Sequence, residues 1–100
     1  MSVEAARIAG IARSGNNGDA RVDLRLGQAM LAIGDLQNAL GDFRRAVQED
    51  PNDPEAMTRL AIAEANAGHT EVASSLVRRA LSISPGYPAA LEVQARLTQR

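Results

Sequence analysis

The sequence predicts an all-α fold: an α-solenoid of antiparallel helix hairpins, with about six helices in a single helical-repeat domain over residues 1–100. One observation is an internal repeat, because residues 20–53 and 54–87 carry the same pattern at an offset of 34. The other is a regular alternation of amphipathic segments with short turns rich in Gly, Asp and Pro. A repeat of this length is typical of two-helix units that stack on one another. Clear identities at this offset are Arg25 with Arg59, Leu26 with Leu60, Gly34 with Gly68, Ala39 with Ala73, Ala46 with Ala80, and Pro51 with Pro85.

The composition is that of a small globular domain. Hydrophobic residues make up 45% of the 100 residues and charged residues 23%, enough for a modest core. The net charge of −1, with one Tyr and one Phe for stacking, disfavours a nucleic-acid-binding helical repeat. There is no cysteine, so disulfides, thiolate metal sites and a Cys nucleophile are excluded.

Sequence features also bear on localisation. The chain has no apolar run long enough to span a membrane, and Glu4 and Arg7 interrupt the region where a signal peptide needs its apolar core. We therefore expect a soluble protein without membrane insertion, and of the soluble compartments the cytoplasm is favoured. All 11 basic residues are Arg, a bias that fits a GC-rich bacterial genome.

The helices are predicted from apolar spacing and end signals. An N-terminal helix is expected over 3–13, and the glycines and asparagines of 14–18 end it. The first unit has helices over 20–33 and 36–49, separated by Gly34 and Asp35. The second has helices over 54–67 and 70–82, and a last helix over 88–98 begins a third copy. The predicted buried face of helix 20–33 consists of Val22, Leu26, Ala29, Met30 and Ile33.

The repeated positions resemble the tetratricopeptide repeat, whose units are 34 residues long. The first unit matches that pattern at Leu26, Gly27, Gly34, Asp35, Ala39, Phe43, Ala46, Asp50 and Pro51. The second unit matches at Leu60, Ala61, Gly68, Ala73, Ala80 and Pro85. Three positions depart from it: Asp23 and Met57 replace a large aromatic residue, and Glu64 stands where the pattern has a bulky side chain.

The resemblance implies a protein–protein interaction scaffold that binds a peptide or partner protein in a concave groove. Three arginines, Arg25, Arg59 and Arg96, are expected to converge there and to favour an acidic, partly apolar partner. In the alternative interpretation these arginines are solvated or pair with carboxylates of their own chain, such as Asp23, Glu55 and Glu64. The candidate partner-binding residues are Arg21, Leu24, Arg25, Gln28, Leu31, Thr58, Arg59, Ile62, Asn66 and Arg96.

Other functions have weaker support in the sequence. The Lys and Asn clamp with which some members of this family hold a C-terminal carboxylate is missing, since Leu24, Gln28, Arg59 and Ala89 occupy its positions. No residue pattern suggests catalysis, a metal or a cofactor, so we expect no enzyme and no bound cofactor. The leading alternative is a structural module that forms homo-oligomers through the ends of the array. The sequence has two complete units, and about three are needed for a stable array.

Four further polar features have expected roles. Glu64 is expected to pair with an arginine or to reach water, and His69, in a tight turn, is expected to be solvated. The pairs 44–45 and 78–79 are both Arg-Arg and are expected on the convex side as solubilising charges.

Overall fold

The computed structural model describes residues 19–99, which form helices and connecting turns without any strand. The five helices in this range are α1 (Ala20–Ala32), α2 (Leu36–Glu49), α3 (Pro54–Asn66), α4 (Thr70–Ile83) and α5 (Pro88–Thr98). The predicted all-α solenoid is confirmed, and the five helices match their predicted bounds within one residue at each end. The predicted helix over 3–13 lies outside the described residues.

Local signals fix where the helices begin and end. The side chains of Asp19, Asp35 and Asp53 accept backbone N–H bonds at the starts of α1, α2 and α3. Gly34 and Gly68 have φ of +84° and +89°, a conformation that glycine adopts without steric cost. Both helix ends carry the same pair of bonds, in which the residue after the glycine donates to the carbonyl five residues back. The two hairpins are therefore closed by identical turns.

The helices pack as successive antiparallel hairpins. α1 packs against α2 and α3 against α4, while α3 also contacts α2, and α5 lies against α3 and α4. Their facing sides form one core of aliphatic and small residues around Phe43, the bulkiest fully buried side chain. All helices are 14 residues or shorter and carry polar faces, so across residues 19–99 none could span a membrane.

The core of the two hairpins is filled by different side-chain pairs at the same positions. Gly27 lies directly under Phe43, and a Cβ built on Gly27 would approach the Phe43 ring to 2.5 Å. In the second hairpin the corresponding residues are Ala61 and Val77, both buried. A smaller residue on one helix is thus matched by a larger one on the other.

The predicted buried face of α1 is wrong in part. The structure buries Asp23, Leu24 and Gly27, whereas Ala29 is exposed and Ile33, the C-cap, is 73% exposed. A helix inside an array has two apolar faces, one toward its hairpin partner and one toward the preceding hairpin. Periodicity identified the second face, and within residues 19–99 no helix precedes α1 to cover it.

Candidate functional site

A cleft of about 380 Å³ lies between α1 and α3, the first helices of the two hairpins. We call it the α1–α3 cleft. Charged and amide side chains dominate its wall, and Leu24, which is 7% exposed, is the apolar residue of the lining. Its lining residues are Arg21, Leu24, Arg25, Gln28, Glu55 and Arg59.

Arg59 is held in place by two neighbours in this cleft. Its Nε donates to the Glu55 carboxylate at 3.1 Å, one helical turn away. With the amide of Gln28 oriented to satisfy both groups, the Gln28 oxygen lies 2.6 to 2.8 Å from the guanidinium nitrogens of Arg59. α1 and α3 are thus joined across the cleft by a polar contact that fixes one guanidinium group.

Arg21 and Arg25 differ from Arg59. Both are exposed on α1, and within residues 19–99 neither makes an ion pair. Three guanidinium groups therefore face a single carboxylate, that of Glu55, in the lining of the cleft. The excess positive charge lies in a concave region, which favours the approach of an acidic group.

The α1–α3 cleft brings together half of the predicted partner-binding residues: Arg21, Leu24, Arg25, Gln28 and Arg59. Leu31 and Ile62 are half-buried against the core, and Asn66 is exposed at the end of α3. Thr58 is 2% exposed and its hydroxyl donates to the Pro54 carbonyl at 2.7 Å, so its predicted place on the groove surface is wrong.

The predicted convergence of three arginines is also wrong. Arg96 does not line the cleft, and it bonds to Glu92 at 2.7 Å on the exposed face of α5. The position of α5 equivalent to Arg25 and Arg59 is Val93, which is buried. The alternative interpretation, in which these arginines pair within the chain, therefore holds for Arg59 and Arg96. It does not hold for Arg25, which makes no ion pair within residues 19–99.

A second polar cluster joins the two hairpins on another face. Glu64 of α3 is 3% exposed, and Arg44 of α2 donates to its carboxylate from Nε at 3.2 Å and from a terminal nitrogen at 3.1 Å. His69, at the N-cap of α4, lies 2.7 Å from the same carboxylate through Nδ1. Because a buried carboxylate needs hydrogen-bond partners, this arrangement satisfies Glu64 without any ligand.

The expected roles of several charged residues need correction as a result. Glu64 pairs with an arginine, as expected, but Arg44 and His69 are its partners and are not merely solvated. Arg45 likewise lies 3.9 Å from the buried Asp23 of α1. The two arginine contacts join residues 20 or more positions apart, which helical spacing alone does not reveal.

Tyr87 ends the second repeat close to the cleft charges. Burial raises the pKa of its phenol above the usual 10.0, and the nearby Glu55 carboxylate raises that pKa further, against an opposing effect of Arg59. The phenol is therefore neutral at physiological pH.

Within residues 19–99, no three His, Cys, Asp or Glu side chains come together to hold a metal ion.

Comparison with known proteins agrees with this architecture. Residues 30–97 and 4–54 match two sequence models described as tetratricopeptide repeat. A segment of 67 residues is 36% identical to the protein CTR9 homolog of Arabidopsis thaliana, and the chain spans 6% of the length of that relative.

Solved structures show the same fold. The tetratricopeptide repeat domain of Arabidopsis OM64 superposes with a TM-score of 0.80 at 23% identity, covering 91% of this chain and 75% of that one. The Yersinia enterocolitica secretion chaperone SycD, solved with a peptide of the translocator YopD, gives a TM-score of 0.74 at 20% identity, covering 95% and 72% of the two chains. On the sequence matches and this shared architecture, the chain belongs to the tetratricopeptide repeat family.

Proposed function

We propose that the protein is a non-catalytic protein–protein interaction scaffold whose α1–α3 cleft binds an acidic, partly apolar segment of a partner protein. The observation that carries the proposal is the charge of this cleft. Arg21 and Arg25 lie free of ion pairs within residues 19–99, beside an Arg59 that is already held by Glu55 and Gln28.

The geometry suits a carboxylate better than a cation. A guanidinium group can bind a carboxylate through two parallel N–H bonds, and two exposed arginines one turn apart offer several such donors. Glu55 is already occupied by Arg59, so it adds little attraction for a basic side chain. Leu24 lines the cleft at 7% exposure and offers a small apolar contact to the residue beside the carboxylate.

Known relatives support a peptide-binding role for the fold. Tetratricopeptide repeat proteins are generally scaffolds for protein–protein interaction and not enzymes. The SycD structure holds a peptide of its translocator, and a structure of PcrH was solved with the chaperone-binding region of PopD. We extend this kind of partner to the present chain, with acidity as the chemical preference that its own cleft residues suggest.

The test is the binding of a short labelled peptide of alternating Glu and Leu, with a Lys and Leu peptide as its comparison. We expect the acidic peptide to bind more tightly, with an affinity that falls as salt is added. The double variant Arg21→Ala/Arg25→Ala should bind it about tenfold more weakly.

Arg79→Ala is the matched control, because Arg79 is an exposed arginine of α4 outside the cleft. Circular dichroism of each variant checks that the helices are intact. If the double variant binds the acidic peptide as tightly as the parent and Arg79→Ala do, the assignment of the α1–α3 cleft is wrong.

A further inference from the structure

Arg59 differs from the other two arginines of the α1–α3 cleft because its guanidinium group is already bonded. The Gln28 oxygen, in the amide orientation that satisfies both groups, lies 2.6 to 2.8 Å from all three guanidinium nitrogens. The Nε of Arg59 also donates to the Glu55 carboxylate at 3.1 Å. Arg21 and Arg25 make no ion pair within residues 19–99. A carboxylate from a partner therefore competes with two groups at Arg59 and with none of the described carboxylates at the other two arginines.

The two groups that hold Arg59 differ in charge and in exposure. Gln28 is neutral and half-buried on α1, so its oxygen positions the guanidinium group without cancelling its charge. Glu55 is negative, its side chain is 47% exposed, and it contacts Arg59 from one turn away on the same helix. Exposed ion pairs at this spacing are weak, so an incoming carboxylate can displace Glu55 at little cost.

Charge decides which of the two groups a partner carboxylate replaces. Exchange with Glu55 puts one carboxylate in the place of another, and Arg59 keeps a single negative partner. Exchange with Gln28 would place two carboxylates on one guanidinium group, and their mutual repulsion would weaken the contact. The charges therefore favour the displacement of Glu55, whose exposed side chain has room to turn into solvent.

We propose that Glu55 is a built-in competitor, which occupies Arg59 until a partner segment with at least two acidic residues displaces it. One acidic residue of the segment binds at Arg21 or Arg25, and the second takes the place of Glu55 on Arg59. A segment with a single acidic residue leaves the Glu55 contact intact. The inference rests on the proposed function, the binding of an acidic segment in the α1–α3 cleft, and adds the charge that the segment must carry.

The first test is the affinity of the full chain for the labelled peptide of alternating Glu and Leu, measured by fluorescence anisotropy. Glu55→Gln keeps the length of the side chain and frees Arg59, so it should strengthen binding about threefold. Glu92→Gln is the matched control, because Glu92 forms an exposed pair with Arg96 at the same spacing on α5, outside the cleft. It changes the net charge equally and should leave binding unchanged at physiological salt.

A double-mutant cycle distinguishes displacement from simple repulsion by Glu55. If the freed Arg59 contacts the peptide, Arg59→Ala should weaken binding about threefold more in the Glu55→Gln background than in the parent. Equal losses in the two backgrounds would mean that Glu55 acts only through its charge, and they would overturn the inference. A peptide in which Gln replaces all but one Glu should gain less from Glu55→Gln, and an equal gain for both peptides would also overturn it.

The side-chain Nε–H signal of Arg59 in two-dimensional NMR reports the displacement in the parent chain, since this group donates to Glu55. At saturating concentrations of the alternating peptide we expect this signal to move together with the backbone amides of Arg21 and Arg25. Movement of the backbone amides with a fixed Nε–H signal would overturn the inference and leave the proposed function standing. No change at any of these groups would overturn both.

Discussion

The two hairpins have the same frame but different interiors. Both close through a glycine with positive φ and the same pair of backbone bonds, at Gly34 and at Gly68. Inside, the first hairpin packs a glycine under Phe43, whereas the second packs Ala61 at the site equivalent to the glycine. The first hairpin also buries the carboxylate of Asp23, whereas the second hairpin buries Met57 at the equivalent position.

This difference shows that the turns define the hairpin. A large core residue can be replaced by a smaller one when its partner on the other helix becomes larger. Gly27 with Phe43 and Ala61 with Val77 each combine a smaller and a larger partner. Cores tolerate such exchanges when the total volume is kept. Single changes within one pair should therefore be costly, and concerted changes should be tolerated.

The largest expected effect is the loss of the Phe43 ring. Phe43→Ala removes the bulkiest fully buried side chain and should lower the free energy of unfolding by about 3–5 kcal/mol. Val77→Ala, at the equivalent site, removes two methyl groups and should cost about 1.6 kcal/mol plus a small cavity term. Urea unfolding followed by circular dichroism measures both. Equal losses at the two sites would contradict the different filling of the two hairpins.

The next effect tests the pairing of volumes. Gly27→Ala should cost about 1–3 kcal/mol, because the new Cβ approaches the Phe43 ring to 2.5 Å. The double variant Gly27→Ala/Phe43→Val recreates the pair of the second hairpin. Its loss of stability should be smaller than the sum of the losses of the two single variants. Additive losses in this double-mutant cycle would show that the two positions do not compensate each other.

A smaller effect is expected at the Arg44 and Glu64 contact between the hairpins. Arg44→Ala removes one of two partners of a buried carboxylate and should cost about 1 kcal/mol, a low value because the Arg44 side chain is half exposed. Glu64→Met restores the bulk typical of this position and should be neutral or stabilising. Thermal unfolding of both variants, with Arg79→Ala as the control, measures these changes in stability. A strongly destabilised Glu64→Met would mean that the ionic contact is needed for folding.

The smallest effect concerns the cap of α2. The Asn38 side chain, and then its backbone N–H, hydrogen-bond to Asp35 and hold the pKa of that carboxyl below 3.8. A lowered pKa in the folded state means that the cap stabilises the protein above pH 3.8, and that this contribution is lost as the pH falls through the lowered value. Asp35→Ala should therefore melt earlier than the parent at neutral pH, and the difference should vanish in strong acid. A difference that persists there would contradict a role for the ionised carboxylate.

The helical frame could be predicted from the sequence because its determinants are local. Gly34, Pro51 and Asp53 act within a few residues, and the repeat offset transfers each assignment to the next unit. The side of α1 that is buried could not be read correctly, since Ile33 and Leu24 are both apolar and periodicity does not say which face has a partner. The prediction of a helix over 3–13 remains outside the described residues.

The cleft residues on α1 followed from the family resemblance, but two assignments failed for physical reasons. Thr58 satisfies its hydroxyl on the Pro54 carbonyl and so stays buried. Arg96 has Glu92 one turn away and pairs with it on the surface. The sequence predicted an arginine partner for Glu64, but it could not identify Arg44 as that partner, because the contact depends on how two helices cross.

The most direct test of the central claim is a titration of the isotopically labelled chain with the peptide of alternating Glu and Leu, followed by two-dimensional amide NMR. The account predicts saturable shift changes at Arg21, Arg25, Gln28 and Arg59, with Arg78, Leu91 and Thr98 unmoved. Changes confined to α4 and α5, with the α1–α3 cleft silent, would contradict it.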